Sequence, residues 1–376
     1  MSTRSSNVPA RLAVAALVVA SALVGCSSGG GGSTAGDTGA SPAAPATVSD
    51  LTSKSHGEQG LIIYGNTPTS VMQPLLDAFH KQYAWIKPQY SQLSDNQVHS
   101  KYTSEQAQGA RTADLLISDS ITRVLQAQKD GQFANVTPQG LDKFPASTRQ
   151  GHGVYVFSPD PVLVTWNAKL LTGAKAPTSY QQLAANAKAD PAHYPLVSYS
   201  PSNPLGYQAV YGLTHLLGKD KTYAYLDALG PRTKTFDEGL DGLQHMVQGG
   251  ASAGWLSSGL SQSIIPQYKG LLKYGYMQDA TPLVPRLIGQ TAAAASPASA
   301  QLFLDFVYSA PGQQVMCATG LEAAMNDFKA ANGCTANLTD LAKRVPAGST
   351  YLVPVSQDVV DQQQTIAARW NKALGH

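Results

Sequence analysis

Leu61-Ile62-Ile63-Tyr64-Gly65-Asn66-Thr67-Pro68 is the stretch that decides the fold of this chain. Its apolar run is short and does not alternate, the pattern of a strand buried on both faces. Gly65 to Pro68 then read as loop, helix N-cap and first-turn proline. Behind them Val71, Leu75, Leu76 and Phe79 recur at helical spacing, so the helix has an apolar stripe to lay back on the sheet.

The same alternation continues outward. Ile86–Tyr90 reads as a second strand, Val98–Gln108 as a polar helix and Ala113–Ile117 as a third strand ending in Ser118-Asp119-Ser120, with another helix from Ile121. Strand and helix in turn predict an open, mostly parallel sheet with right-handed crossovers. Val154–Asn167 holds two extended apolar pieces around Ser158-Pro159-Asp160-Pro161, too proline-rich for a helix and long enough to bridge two bodies. A second α/β set follows: a helix near Ser179–Ala187, a strand Leu196–Tyr199, helices at Pro204–Leu217, Lys221–Leu229 and Gly239–Gln248, and a strand Ala253–Leu256. Tyr274–Val284 is the expected return crossing. Helices at Pro297–Tyr308, Pro311–Thr319 and Ser356–Lys372 close the chain. Their apolar faces, Leu302, Phe303, Phe306 and Val307, then Val359, Ile366 and Trp370, are expected to pack on the first lobe.

The amino terminus is of another kind. Arg4 and Arg11 precede an apolar run from Leu12 to Val24, too short to span a bilayer, which needs about 20 apolar residues, and typical of a secretory signal. It ends in Leu23-Val24-Gly25-Cys26, which resembles the lipobox of bacterial lipoproteins; the resemblance implies cleavage before Cys26 and acylation of its thiol. Residues 27–58 are mostly Ser, Gly, Thr, Ala and Pro and are read as a disordered leash, since such a composition cannot bury a core. A coil of that length reaches roughly 30 Å. The remaining chain, about 320 residues, suits two lobes better than one core.

Removing Arg4 and Arg11 leaves equal numbers of basic and acidic residues, and the longest basic cluster is Lys343-Arg344, so nothing points to nucleic acid. With Cys26 given to lipid, Cys317 and Cys334 remain and are expected to pair outside the reducing cytoplasm. No C-x-x-C, H-x-x-x-H, H-E-x-x-H, S-x-x-K or Walker-type loop occurs, and the chain is not read as an enzyme or a holder of a cofactor or metal.

Tyr64-Gly65-Asn66-Thr67 with Pro74-Leu75-Leu76-Asp77-Ala78-Phe79, then Ala113-Asp114-Leu115-Leu116, resembles the first lobe of extracytoplasmic solute-binding proteins of ABC importers, nearest to their ferric-iron-type group. Ala300-Gln301-Leu302-Phe303-Leu304-Asp305-Phe306-Val307-Tyr308-Ser309, Gly312-Gln313 and Gly320-Leu321 are similar to that group's carboxyl-terminal signature. The resemblance covers about residues 59–328. It implies a two-lobed periplasmic-binding-protein type II fold, α/β in class, each lobe a mostly parallel sheet flanked by helices. The lobes would be 59–161 with 280–376, and 162–279. It further implies a monomer on the outer face of the cytoplasmic membrane that passes a small polar solute to ABC permease subunits and their ATPase. Where the iron binders carry adjacent tyrosines, this chain reads Ser257-Ser258-Gly259-Leu260, whose hydroxyls are poor partners for Fe(III). Iron therefore stands as an alternative, as does a sensor not tied to transport.

Ligands of open α/β sheets lie beyond the carboxyl ends of strands, at helix N-termini. That rule selects Asn66 and Thr67; Ser118, Asp119 and Ser120; Ser200, Ser202 and Asn203; and Trp255 with Ser257 and Ser258. Each has a plainer reading too. Asn66, Thr67 and Asp119 can simply cap helices, Ser200 to Asn203 can form a proline-rich turn before Pro204, and Trp255 can be core.

Overall fold

Leu61 and Ile63 of the deciding stretch are wholly enclosed, in a strand hydrogen-bonded on both sides. The computed structural model describes residues 47–173 and 176–375; the signal, the lipobox and Cys26 lie outside them. The strands are β1 (Leu61–Gly65), β2 (Pro88–Gln92), β3 (Leu115–Ser118), β4 (Val154–Pro161), β5 (Leu163–Asn167), β6 (Leu196–Tyr199), β7 (Thr233–Phe236), β8 (Ala253–Ser257), β9 (Leu272–Gly275), β10 (Thr281–Gln290) and β11 (Thr350–Leu352). The helices are α1 (Val48–Ser55), α2 (Thr69–Gln82), α3 (Asp95–Ala107), α4 (Ile121–Lys129), α5 (Tyr180–Ala189), α6 (Pro204–Leu217), α7 (Lys219–Leu229), α8 (Gly239–Val247), α9 (Ser261–Ile264), α10 (Pro297–Val307), α11 (Ala310–Thr319), α12 (Leu338–Arg344) and α13 (Gln357–Leu374).

Two sheets result, one ordered β11-β10-β3-β1-β2 with β4 on β10, the other β7-β6-β8-β5-β9. Each has a parallel core, β2-β1-β3 in the first and β7-β6-β8 in the second. The antiparallel members are those in which the chain changes sheet. β4 pairs with β10, and β5, one residue later, pairs with β8 and β9. The chain returns between β9 and β10. The crossing segments must run against the βα units because they arrive from the opposite body.

The first sheet packs on α2 and α10, where Phe79 meets Phe303 edge-on with ring centroids 5.1 Å apart. Cys317 on α11 and Cys334 form the expected disulfide, 17 residues apart. A loop of that size contributes about 3 kcal/mol in the chain-entropy account.

Two expectations are corrected. The leash does not run to residue 58, because residues 48–55 form α1. Thr47 and Asp50 make a reciprocal capping box, Leu51 is buried, and α1 lies on α10. The Glu58 carboxylate then caps α10, accepting from the Ala298 and Ser299 backbone at 2.8 Å each. Ser-, Gly- and Ala-rich composition hid one Val, one Leu and a cap. The last helix, α13, does not pack on the first lobe's core. It lies chiefly on α6 and α7, with Trp370 against Trp255 of β8 at 5.7 Å between centroids, and it touches α4 through a Thr122–Gln363 hydrogen bond of 3.0 Å. An amphipathic stripe says that a helix is buried, never against what.

Trp370 is fully enclosed and its Nε1 has no hydrogen-bond partner. Trp370→Ala should therefore cost about 3–5 kcal/mol in urea unfolding, while Trp370→Phe, which removes the unpaired N–H as well as one ring, should cost clearly less.

Candidate functional site

Parallel pairing of β1 with β3 brings their carboxyl ends, and the starts of α2, α3 and α4, to one edge of the first sheet. Asp95, the first residue of α3, is the hub. Its Oδ1 accepts from Ser118 Oγ at 2.7 Å and from the Asp119 backbone at 3.2 Å, and its Oδ2 from Asn66 Nδ2 at 2.9 Å. Asn66 Oδ1 in turn accepts from Arg286 Nη1 at 2.5 Å. Arg286 points from β10 into the junction and is 3% exposed. It gives Nε and Nη2 to Asp160 Oδ2 of β4 at 3.1 and 2.9 Å, and stands 3.8 Å from Asp119. Burial opposes its charge, but Asp160 and Asp119 more than restore it. Gly65 is required here, since a Cβ would fall 2.9 Å from the Tyr90 hydroxyl, which donates to the Thr67 carbonyl at 2.5 Å.

The second sheet offers a small cavity, about 20 Å³ of space that a water can occupy, open to solvent at the carboxyl ends of β6 and β8. It is lined by the apolar Val197, Phe236, Leu243, Met246 and Leu256 and by the polar Ser198, Tyr199, Glu238, Ser257, Ser258 and Ser261. Tyr199 fits because residue 239 is glycine: any Cβ there would meet the tyrosine hydroxyl at 2.2 Å.

The two edges face each other. Gln208 of α6 donates from Nε2 to the Asp119 carbonyl at 2.7 Å. Burial and then the Asp119 charge push the Tyr199 hydroxyl up. Burial, Asp241, Asp237 and, across the junction, Asp95 push Glu238 up. Asp119 is held well above the carboxylate range, by burial first and by Asp95 second.

A second polar chain ties the crossing strands. Ser158 Oγ donates to Asp160 Oδ1 and accepts from the Glu322 backbone at 2.8 Å. The Glu322 carboxyl accepts from Gln262 Nε2 at 3.4 Å, and Gln262 Oε1 accepts from Tyr276 at 2.8 Å. Burial, then Asp160, push Glu322 up to about 8.

Of the residues singled out from sequence, Asn66, Ser118 and Asp119 meet around Asp95. Ser257 and Ser258 line the cavity, with Ser257 Oγ 2.8 Å from Thr165 Oγ1. Thr67 is fully buried with its hydroxyl unpaired, and Ser120 caps α4 by accepting from the Arg123 backbone. Ser200 and Asn203 are spent locally: Ser200 donates to Asp237 at 2.5 Å, Ser202 stays beside it, and Asn203 caps α6. Trp255 is a correction. Its ring is fully buried between Tyr180 and Trp370, with Nε1 donating to Thr233 at 3.0 Å, so it packs the core instead of walling a ligand. Sequence reading missed Asp95, Asp160, Tyr199, Gln208, Glu238, Arg286 and Glu322. Two left a trace: Ser94-x-x-Gln97 is a capping-box spacing that marks Asp95, and Arg286 interrupts the apolar run of β10. Gly250-Ala251-Ser252-Ala253-Gly254 has the spacing of a nucleophile elbow, but Ser252 enters a strand, is buried and donates to the Pro195 carbonyl at 3.1 Å.

A family profile described as bacterial extracellular solute-binding protein matches residues 64–314, and the chain belongs to that family. By sequence, no curated protein matches. Among solved structures it is similar to the substrate-binding protein of an ABC transporter from Agrobacterium tumefaciens, with a TM-score of 0.74, 19% identity, and 85% of this chain and 96% of that one covered. It is also similar to the periplasmic binding protein AfuA from Actinobacillus pleuropneumoniae, with exogenous fructose-6-phosphate bound (TM-score 0.66, 17% identity, 84% and 98% covered). Iron-bound HitA from Pseudomonas aeruginosa gives 0.65 and 15%, with 84% and 99% covered. The architecture is thus the periplasmic-binding-protein type II fold.

Glu322 supplies a pH test. Its pKa is raised by folding, so its contribution to stability is complete below the ordinary carboxylate range and is lost as pH climbs through about 8. Glu322→Gln, which cannot ionise, should melt several degrees above the parent at pH 9 and close to it at pH 5. Thermal unfolding at the two pH values checks this.

Proposed function

We propose that the protein is the lipid-anchored solute-binding component of an ABC importer, holding a small polar solute between its two sheets and presenting it to permease subunits and their ATPase. The observation that carries the reading is the contact of the helix-start edge of the first sheet with the second body through the Gln208–Asp119 bond, with a cavity at the start of α8 in the second body. Ligand contacts to both bodies would favour the shut state, and closure is what a permease can sense. The lobes of this reading are 59–161 with the first part of 280–376, and 162–279 with α13 laid upon it. Cys26 would carry the acyl chains on the outer face of the cytoplasmic membrane, and a monomer suffices.

Iron is the weaker reading. Ser257 and Ser258 follow β8 where the iron binders carry adjacent tyrosines, and serine hydroxyls do not ionise near neutral pH. Of the tyrosines that follow β8, Tyr276 is spent on Gln262.

Native mass spectrometry of protein purified without added solute should show a retained small molecule, and small-angle scattering should show a smaller radius with it than after its removal by unfolding and refolding. No compaction with any solute would leave a sensor or assembly role. In the cell, Cys26→Ser should release the protein from the membrane fraction.

A further inference from the structure

Asp95, Asp119 and Glu238 stand at or just before the starts of α3, α4 and α8. A cleft built to take an anion leaves such helix starts open to it. Here the protein fills the place itself: the Asp95 carboxylate takes the Ser118 hydroxyl, the Asp119 backbone N–H and the Asn66 amide that a phosphate or carboxylate ligand would need. The guanidinium of Arg286 is committed to Asp160 and Asn66. A second, separate observation concerns unmet hydrogen bonds. Asp119 is 8% exposed and its Oδ1 has no partner; Gln208, fully enclosed and bonded through Nε2 to the Asp119 carbonyl, has an unpartnered Oε1. Gln208 Oε1 is an acceptor, and Asp119 Oδ1 becomes one once the proton that Asp119 holds against Asp95 has left; the two residues touch from the two bodies. Buried acceptors of this kind cost free energy until a donor arrives. A group that only donates, an ammonium or guanidinium, answers both and the carboxylates as well.

Deepening the solute-binding reading, on which it rests, we propose that this cleft selects a small organic cation, its charged group taken by Asp119, Gln208 and Glu238 and a short apolar portion by the slot behind Tyr199. The apolar side chains lining the slot, Val197, Phe236, Leu243, Met246 and Leu256, favour a carbon-rich portion over a fully hydroxylated one. Asp119 faces Asp95 on α3, Arg286 on β10, Asp160 on β4, Tyr199 on β6 and Tyr207 on α6. With its pKa held high by burial and Asp95, Asp119 gives up a proton when the cation enters. Binding therefore strengthens as pH rises above the carboxylate range.

The test is a calorimetric and thermal-shift panel on the mature protein: agmatine, putrescine, choline and benzylamine against fructose 6-phosphate, glucose and ferric citrate. At least one of the four cations should bind, more weakly at pH 5 than at pH 8 and more weakly in high salt. Asp119→Asn and Glu238→Gln, checked for unchanged melting, should each lower its affinity ten-fold or more. Preference for the phosphate, the sugar or the iron complex overturns the assignment, as does a panel in which no cation binds or in which both variants bind as well as the parent. An anion or sugar that binds and compacts the protein would remove the cation claim alone. Absence of compaction with every solute, including any retained on purification, would remove the solute-binding reading beneath it.

Discussion

The structure turns on one buried cation. Arg286 lies where β10 returns to the first sheet, against the Asp160 of β4 from which the chain has just left it, and it reaches Asn66 at the end of β1. A buried ion pair of this kind adds little net stability, because desolvation offsets the attraction, yet losing either partner strands a charge at a cost of about 3–5 kcal/mol. Its effect is therefore to fix geometry. The two crossing segments are registered against each other, and the first helix start is registered against both.

From that fixed point the cleft follows. Parallel βα units deliver helix starts to one edge of each sheet, and antiparallel crossings bring the two edges together. Most of the polar groups there are used by the protein itself, with Asp95 occupying the donors of its own sheet edge and Asp237 those around Ser200. Among the groups that stay unmet are Asp119 Oδ1 and Gln208 Oε1, on residues joined across the two bodies, and the Thr67 hydroxyl. A site's preference is read better from the hydrogen bonds it lacks than from those it has made.

The fold was legible early because its signals are local. A continuous apolar run, a cap, a proline and a helical stripe at residues 61–79 allow little besides a βα unit, and repetition of that unit sets the class. Two prolines around Asp160 marked the crossing for the same reason. Errors came where a local pattern is silent about its partner. Leu51 and a Thr–Asp cap were too sparse to stand out from the leash, and the stripe of α13 could not say which body would receive it.

The sequence by itself determined the αβ alternation, the crossing segments, the pairing of Cys317 with Cys334 and the strand ends that carry the candidate residues, since each depends on residues near in the chain or on the rule that strand ends carry sites. Only the tertiary structure decided which side chains face the cleft. Asp95, Gln208, Glu238 and Arg286 come from separate parts of the chain as far as 191 positions apart, and Trp255 left the site for the core because Tyr180 and Trp370 enclose its ring and Thr233 takes its N–H. Charge, burial and unmet hydrogen bonds are properties of such gathered sets, and no window of sequence contains them.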